Sequence, residues 1–248
     1  MTDIERYLFD INGLLVLRNV LSKEEVQRLL DGIPKDEDGN IIKRREGDDS
    51  FAGLLGYDEP LFRDLTHHPR IVPYLEYLLA NQEEGAGKSC GCFYLDHEYG
   101  LENKPGHEGM TFHFGGAPYN PIINYHVQDG QIYCGATTVV WCLTDVDEGE
   151  GGFWCLPGSH KAHFLRPKEI ILFEYVPETV YQPAVSAGDV ILFSEALTHG
   201  TRPKIDERNR IALFYKYYPG FMQISKRPRE ILELMTEEQM KYLVPENR

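Results

Sequence analysis

The sequence predicts an α+β protein in which helices at the two ends of the chain pack against an antiparallel β core. Three observations carry that expectation. Apolar residues recur at helical spacing near both ends of the chain. Residues 90 to 220 break instead into short aromatic and β-branched runs separated by Gly, Pro, Asn and Asp. No helical segment divides those runs, which is the pattern of an antiparallel barrel or sandwich.

Along the chain, "LSKEEVQRLLDGI" opens with Ser22 and Glu25 at the spacing of a capping box, and Val26, Leu29 and Leu30 follow on one helical face. "HPRIVPYLEYLLANQ" repeats the pattern with Ile71, Tyr74, Leu75, Leu78 and Leu79, and ends at the polar "NQEEGAGKS". Strands are expected in "CGCFYLDHEYG", "ATTVVWCLTDV", "GGFWCLPGSH", "GDVILFSEALTHG" and "RIALFYKYYPG". Helix returns in "RPREILELMTEEQMKYLVPENR", where Thr236 and Gln239 are spaced as another capping box. Without repeats or a linker, residues 1–248 are expected to form a single domain.

Composition narrows the function. The chain has 248 residues, 42% of them hydrophobic, and a formal charge of -14, which repels polyanions and argues against nucleic acid as a partner. Five cysteines (Cys90, Cys92, Cys134, Cys142 and Cys155) form no Cys-x-x-Cys pair, and their odd number argues against a disulfide framework. No signal-like N-terminus or long apolar run is present, so a cytoplasmic protein without a membrane partner is expected. Two apparent nucleotide motifs fail. Gly87-Lys88-Ser89 has Gln82 where a phosphate-binding loop needs glycine, and "GEGGFW" has Trp154 where the last glycine belongs.

Most of the nine histidines suit surface, capping or turn positions. His113 and His199 differ, because each stands at the edge of an expected strand. Arg210 follows His199 at the start of the next strand, and its planar fork suits a carboxylate.

"INGLLVLRNVLSKEEVQRL", "LTDVDEGEGGFWCLPGSHK", "GDVILFSEALTHGT" and "RIALFYKYYPG" resemble the phytanoyl-CoA dioxygenase-like (PhyH) family of Fe(II)/2-oxoglutarate-dependent oxygenases, over residues 8 to about 220. The resemblance implies a double-stranded β-helix, or jelly roll, flanked by N- and C-terminal helices. It also implies Fe(II), 2-oxoglutarate and O2 as cofactors, with iron bound through His-x-Asp and a distal His. Carried over by position, His113 and His199 are the metal ligands and Arg210 anchors 2-oxoglutarate.

One position departs from that pattern. Residues i and i+2 of a strand face the same way, yet the residue two after His113 is Gly115, which has no side chain to coordinate iron. The site of an inactive jelly-roll binding protein would look like this. So would a hydroxylase in which Asp96, Asp129, Asp145 or a water substitutes. Non-heme iron halogenases resemble this sequence in carrying Ala or Gly there, which leaves a coordination position for chloride. The expectation is therefore a halogenase that chlorinates an unactivated C–H of a small metabolite by a radical mechanism, with Gly115 marking the halide site and hydroxylase as the alternative.

Further expectations concern ligands. Thr137, Thr138 and Trp141 lie on a strand expected to line the barrel and to reach 2-oxoglutarate, with ordinary strand packing as the alternative. Arg202, Arg44 and Arg45 favour an anionic small-molecule substrate such as a nucleotide or amino acid, and Phe114 is expected to point into the core.

Overall fold

The computed structural model describes residues 1–80, 93–222 and 226–243. The loop holding Gly87-Lys88-Ser89, together with Cys90 and Cys92, lies outside the described residues. Helices α1 (Asp3–Asn12) and α2 (Lys23–Gly32) begin with complete capping boxes, Thr2 with Glu5 and Ser22 with Glu25. Each such cap stabilises its helix by about 1 kcal/mol by satisfying N–H groups that have no partner within the helix. The 71–80 segment is a turn of α-helix, Val72–Leu75, continued by a π-type stretch, Glu76–Ala80, and it buries Leu75, Leu78 and Leu79 as their spacing predicts. The C-terminal region holds single turns, Arg229–Leu232 and Glu237–Met240, with the Thr236–Gln239 box capping the second.

The strands among the described residues are β1 (Leu14–Leu17), β2 (Ser50–Ala52), β3 (Phe93–Asn103), β4 (Met110–His113), β5 (Tyr125–Gln128), β6 (Gln131–Cys134), β7 (Thr137–Cys142), β8 (Gly152–Cys155), β9 (Val190–Ser194), β10 (His199–Arg202) and β11 (Arg210–Pro219). A six-stranded antiparallel sheet runs in the order β1-β9-β7-β11-β3-β2, a three-stranded sheet in the order β4-β10-β8, and β5-β6 form a hairpin. This mixed arrangement of helices and antiparallel sheets is a jelly roll.

Side-chain parity divides the large sheet into two faces. Val139 and Trp141 of β7, Leu192 of β9, and Leu213, Tyr215 and Tyr217 of β11 pack in the cluster that also holds Leu29 and Leu75 of the helices. Val140, Cys142, Ile191, Phe193, Ala212 and Phe214 point the other way, onto Phe153 and Cys155 of the small sheet. With both faces covered, β7 and β9 are buried throughout and show no polar alternation. Burial of each large apolar side chain here contributes roughly 1.5–3 kcal/mol. No helix among the described residues is long and apolar enough to cross a membrane.

Candidate functional site

Strand β10 brings the two histidines together. His199 lies directly across from His113 in the β4–β10 ladder, and their ring centroids are 4.2 Å apart. His199 is buried against Phe193 and Phe153, whereas His113 is partly exposed and touches Phe114. In each imidazole Nδ1 sits within hydrogen-bond reach of a main-chain carbonyl, Thr111 at 3.2 Å for His113 and Leu197 at 2.7 Å for His199. A carbonyl only accepts, so Nδ1 must donate, and Nε2 is left with its lone pair, which is how a second-shell contact prepares a metal-binding histidine. Burial lowers the pKa of His113 and pushes that of His199 down to about 3, so both rings are neutral at physiological pH.

A turn next to the pair holds it in place. "PGSH" carries Ser159, whose Oγ accepts from the Thr198 N–H at 2.8 Å and whose carbonyl accepts from the Gly116 N–H at 2.9 Å. Thr198 Oγ1 in turn donates to the Phe114 carbonyl at 3.2 Å. One turn therefore ties the residues before His199 to the residues after His113. His160 of the same turn is buried, with Nε2 3.0 Å from the Asp10 carbonyl, which fixes the turn to α1.

The geometry at Gly115 corrects the premise of a vacant i+2 ligand position. Strand β4 stops at His113, Phe114 adopts a left-handed φ of 55°, and Gly115 has φ 132°. A Cβ at Gly115 would meet Thr198 Oγ1 at 2.8 Å and Arg166 Nη1 at 3.3 Å, and Gly115 is not among the residues that line the cavity between the histidines. The strand rule does not apply past a left-handed residue. Phe114 is 37% exposed, so the expectation that it enters the core is also corrected.

The cavity beside the histidines is closed by Tyr99 and Leu101 of β3, Met110 of β4, and Arg210, Phe214 and Lys216 of β11. Arg210 is buried, its Nη1 donates to Asn103 Oδ1 at 2.7 Å, and no carboxylate is paired with it among the described residues. Burial lowers its pKa, the mark of a cation deprived of water without a counter-ion. Such a group accepts an incoming carboxylate without first breaking an ion pair. Two neutral imidazoles with free Nε2 atoms and an uncompensated guanidinium in one cavity fit Fe(II) and a dicarboxylate, although among the described residues no three His, Cys, Asp or Glu side chains stand together at metal-binding distance.

The remaining sequence candidates are placed as follows. Trp141 and Thr137 have the wrong parity for the cavity: Trp141 packs edge-on against His68 in the helix-covered core, and Thr137 shares its side of β7. Thr138 faces inward and its hydroxyl donates to Glu195. Arg202 lies over the Trp154 ring and donates to Gln182, away from the histidines. Arg45 lines a different cleft with Lys43, Lys104 and His107, and neither Arg44 nor Arg45 reaches the histidine cavity. Asp96 contacts His97, Asp145 accepts from the Ala187 N–H, and Asp129 occupies the β5–β6 turn, so none of the three lines the cavity. Sequence reasoning missed Glu195, Lys216 and Tyr99. The signal was present as even spacing, Ile191 and Phe193 on β9 continued by Glu195 just past its end, and Arg210, Phe214 and Lys216 on β11.

A jelly roll carrying paired imidazoles and a buried arginine defines an Fe(II)/2-oxoglutarate-dependent oxidoreductase. The chain belongs to the phytanoyl-CoA dioxygenase (PhyH) family, whose sequence profile matches residues 9–212. It is 26% identical over 238 residues to the ectoine dioxygenase of Bordetella parapertussis, covering 84% of this chain and 72% of that protein. Among solved structures it is similar to HygX from Streptomyces hygroscopicus with nickel and 2-oxoglutarate bound, at a TM-score of 0.73 and 25% identity over 91% of this chain and 90% of HygX. HygX with nickel, 2-oxoglutarate and hygromycin B bound gives a TM-score of 0.74 at the same identity and the same coverage of both chains.

Proposed function

We propose that the protein is a hydroxylase-type oxygenase that oxidises a C–H bond of a small molecule, with His113 and His199 holding Fe(II) and Arg210 holding 2-oxoglutarate. The observation that carries this reading is the pairing of two imidazoles, each with Nδ1 occupied by a carbonyl, across one β ladder. When bound, iron with 2-oxoglutarate and O2 supplies the oxidant, and 2-oxoglutarate leaves as succinate and CO2. The chain's own contribution is placement. His113 and His199 present neutral Nε2 donors, Arg210 offers parallel N–H groups to a carboxylate, and Phe153, Phe193 and Phe214 keep the cavity walls apolar.

Hydroxylation is better supported than chlorination. The halide reading needs Gly115 to open onto the metal, and a side chain there would point at Thr198 and Arg166. The curated relatives named for a reaction are dioxygenases. A small-molecule substrate is supported by a relative named for ectoine and by the HygX structure that holds hygromycin B.

The test is anaerobic titration of the apoprotein with Fe(II) and 2-oxoglutarate, followed by exposure to O2. A weak visible charge-transfer band and O2-dependent release of succinate, both lost in His199→Ala, are expected. Succinate formed at the same rate by His199→Ala would overturn the reading. Product mass spectra with and without chloride then separate oxygen insertion from halogenation.

A further inference from the structure

Resting on the two-histidine reading above, we infer that Glu195 is the carboxylate of this metal site, in place of the acidic residue absent at position 115, and that Lys216 holds it until the cation binds. Glu195 is the acidic residue among those lining the cavity of His113 and His199, and it is 2% exposed. Held by Lys216, it does not stand with both imidazoles at metal-binding distance, so it reaches the cation by leaving Lys216. It enters that cavity from the chain that leads into β10, four residues before His199, so one short segment delivers both an imidazole and a carboxylate.

The carboxylate is prepared for a cation. Lys216 Nζ lies 3.0 Å from Oε1, and the Thr138 hydroxyl donates to the same oxygen. Burial alone would make Glu195 a weak acid, but the Lys216 charge, the neighbouring His199 and the hydrogen bonds from Thr138 and Lys216 together outweigh it and hold the carboxyl ionised. A buried ion pair of this kind is a poor source of stability, because desolvation of both charges offsets their attraction and two apolar residues would serve as well. Its position beside two ligand-ready imidazoles gives it a chemical use. A divalent ion held by His113 and His199 would find in Glu195 the carboxylate that lines the same cavity, and would compete with Lys216 for it.

The competition makes the test specific. Co(II) binding to the full-length apoprotein is measured by calorimetry, and the Co(II) absorption spectrum reports the ligand set. Glu195→Gln is expected to weaken Co(II) at least about 10-fold and to alter the spectrum. Lys216→Met, which removes the competing cation, is expected to bind Co(II) as tightly as the unmodified chain or more tightly. Should either single variant fail to fold, Glu195→Gln/Lys216→Met removes both charges together and is expected to show the same loss as Glu195→Gln. A purely structural pair predicts that both single variants lower stability and neither changes Co(II) affinity. Unchanged affinity and spectrum in Glu195→Gln would overturn the inference, as would equal weakening by Lys216→Met. His199→Ala is the separate control: if it binds Co(II) like the unmodified chain, the two-histidine reading itself fails.

Discussion

His113 and His199, far apart in the chain, occupy directly opposed positions of one antiparallel ladder, with their rings 4.2 Å apart and each Nδ1 turned toward a main-chain carbonyl. This arrangement predicts binding of divalent metal by the apoprotein alone. At a Ni(II) concentration 100-fold above Kd, binding adds about 2.7 kcal/mol, which for a chain of this size raises Tm by roughly 5–10 °C. Thermal melts with and without Ni(II) should show that rise in the unmodified protein and its loss in His113→Ala and in His199→Ala.

Arg210 should show opposite effects on binding and on stability. Its guanidinium is buried without a carboxylate partner, so Arg210→Gln removes a desolvated charge from the empty protein. Urea unfolding of apo Arg210→Gln is expected to show stability equal to or above that of the unmodified chain. Loss of the charged fork should weaken 2-oxoglutarate by about 30- to 1,000-fold, equivalent to roughly 2–4 kcal/mol, as measured by calorimetry on the Ni(II)-loaded protein.

Gly115 answers to backbone geometry. At φ 132° an L-residue is strained, and its Cβ would stand 2.8 Å from Thr198 Oγ1. Gly115→Ala is expected to destabilise the fold by about 1–3 kcal/mol in urea unfolding. Gly115→Asp should suffer the same loss without gaining Ni(II) affinity, and tighter metal binding in that variant would restore the vacancy reading.

The apoprotein should lose stability in mild acid through His160. Burial lowers its pKa to about 4 from an unfolded value near 6.5, so between these values the unfolded chain binds a proton that the folded chain does not. Its contribution is therefore fully present above about pH 6.5 and declines as pH falls toward about 4. His113 and His199 act in the same direction. Comparing urea midpoints at about pH 7 and pH 4.5, His160→Asn should be less stable at the higher pH, having lost its bond to Asp10, and should show a smaller drop between the two.

Much of this molecule is readable before any coordinates, and the boundary is physical. Ser22–Glu25 and Thr236–Gln239 announce their helices because capping is local chemistry, complete within a few residues. The aromatic and β-branched runs likewise announce their strands. His113, His199 and Arg210 were legible as candidates because polar residues at the edges of apolar strands need a reason. What escaped notice depends on parity and register. Trp141 and Thr137 looked like barrel-lining residues until the two-sided burial of β7 assigned odd positions to the helices and even ones to the side facing the small sheet. Glu195 was hidden in "FSEALTHG", since nothing local tells a buried carboxylate from a surface one when its partner, Lys216, comes from another strand. Position 115 misled for a related reason: the i+2 rule holds only while the chain stays extended, and Phe114 ends that extension with a φ of 55°.

The small sheet has a lasting asymmetry. Strand β10 is its middle member, flanked by β4 and β8, whereas β4 is four residues long, lies at the margin, exposes Met110 and Thr111, and pairs in an interrupted register. A cation shared by residues 113 and 199 would therefore act as a rivet, fastening a loosely sewn hem to the cloth beside it. Amide exchange near residues 110–116 should slow when metal is added, while the wide sheet, already stitched along β11, should scarcely notice.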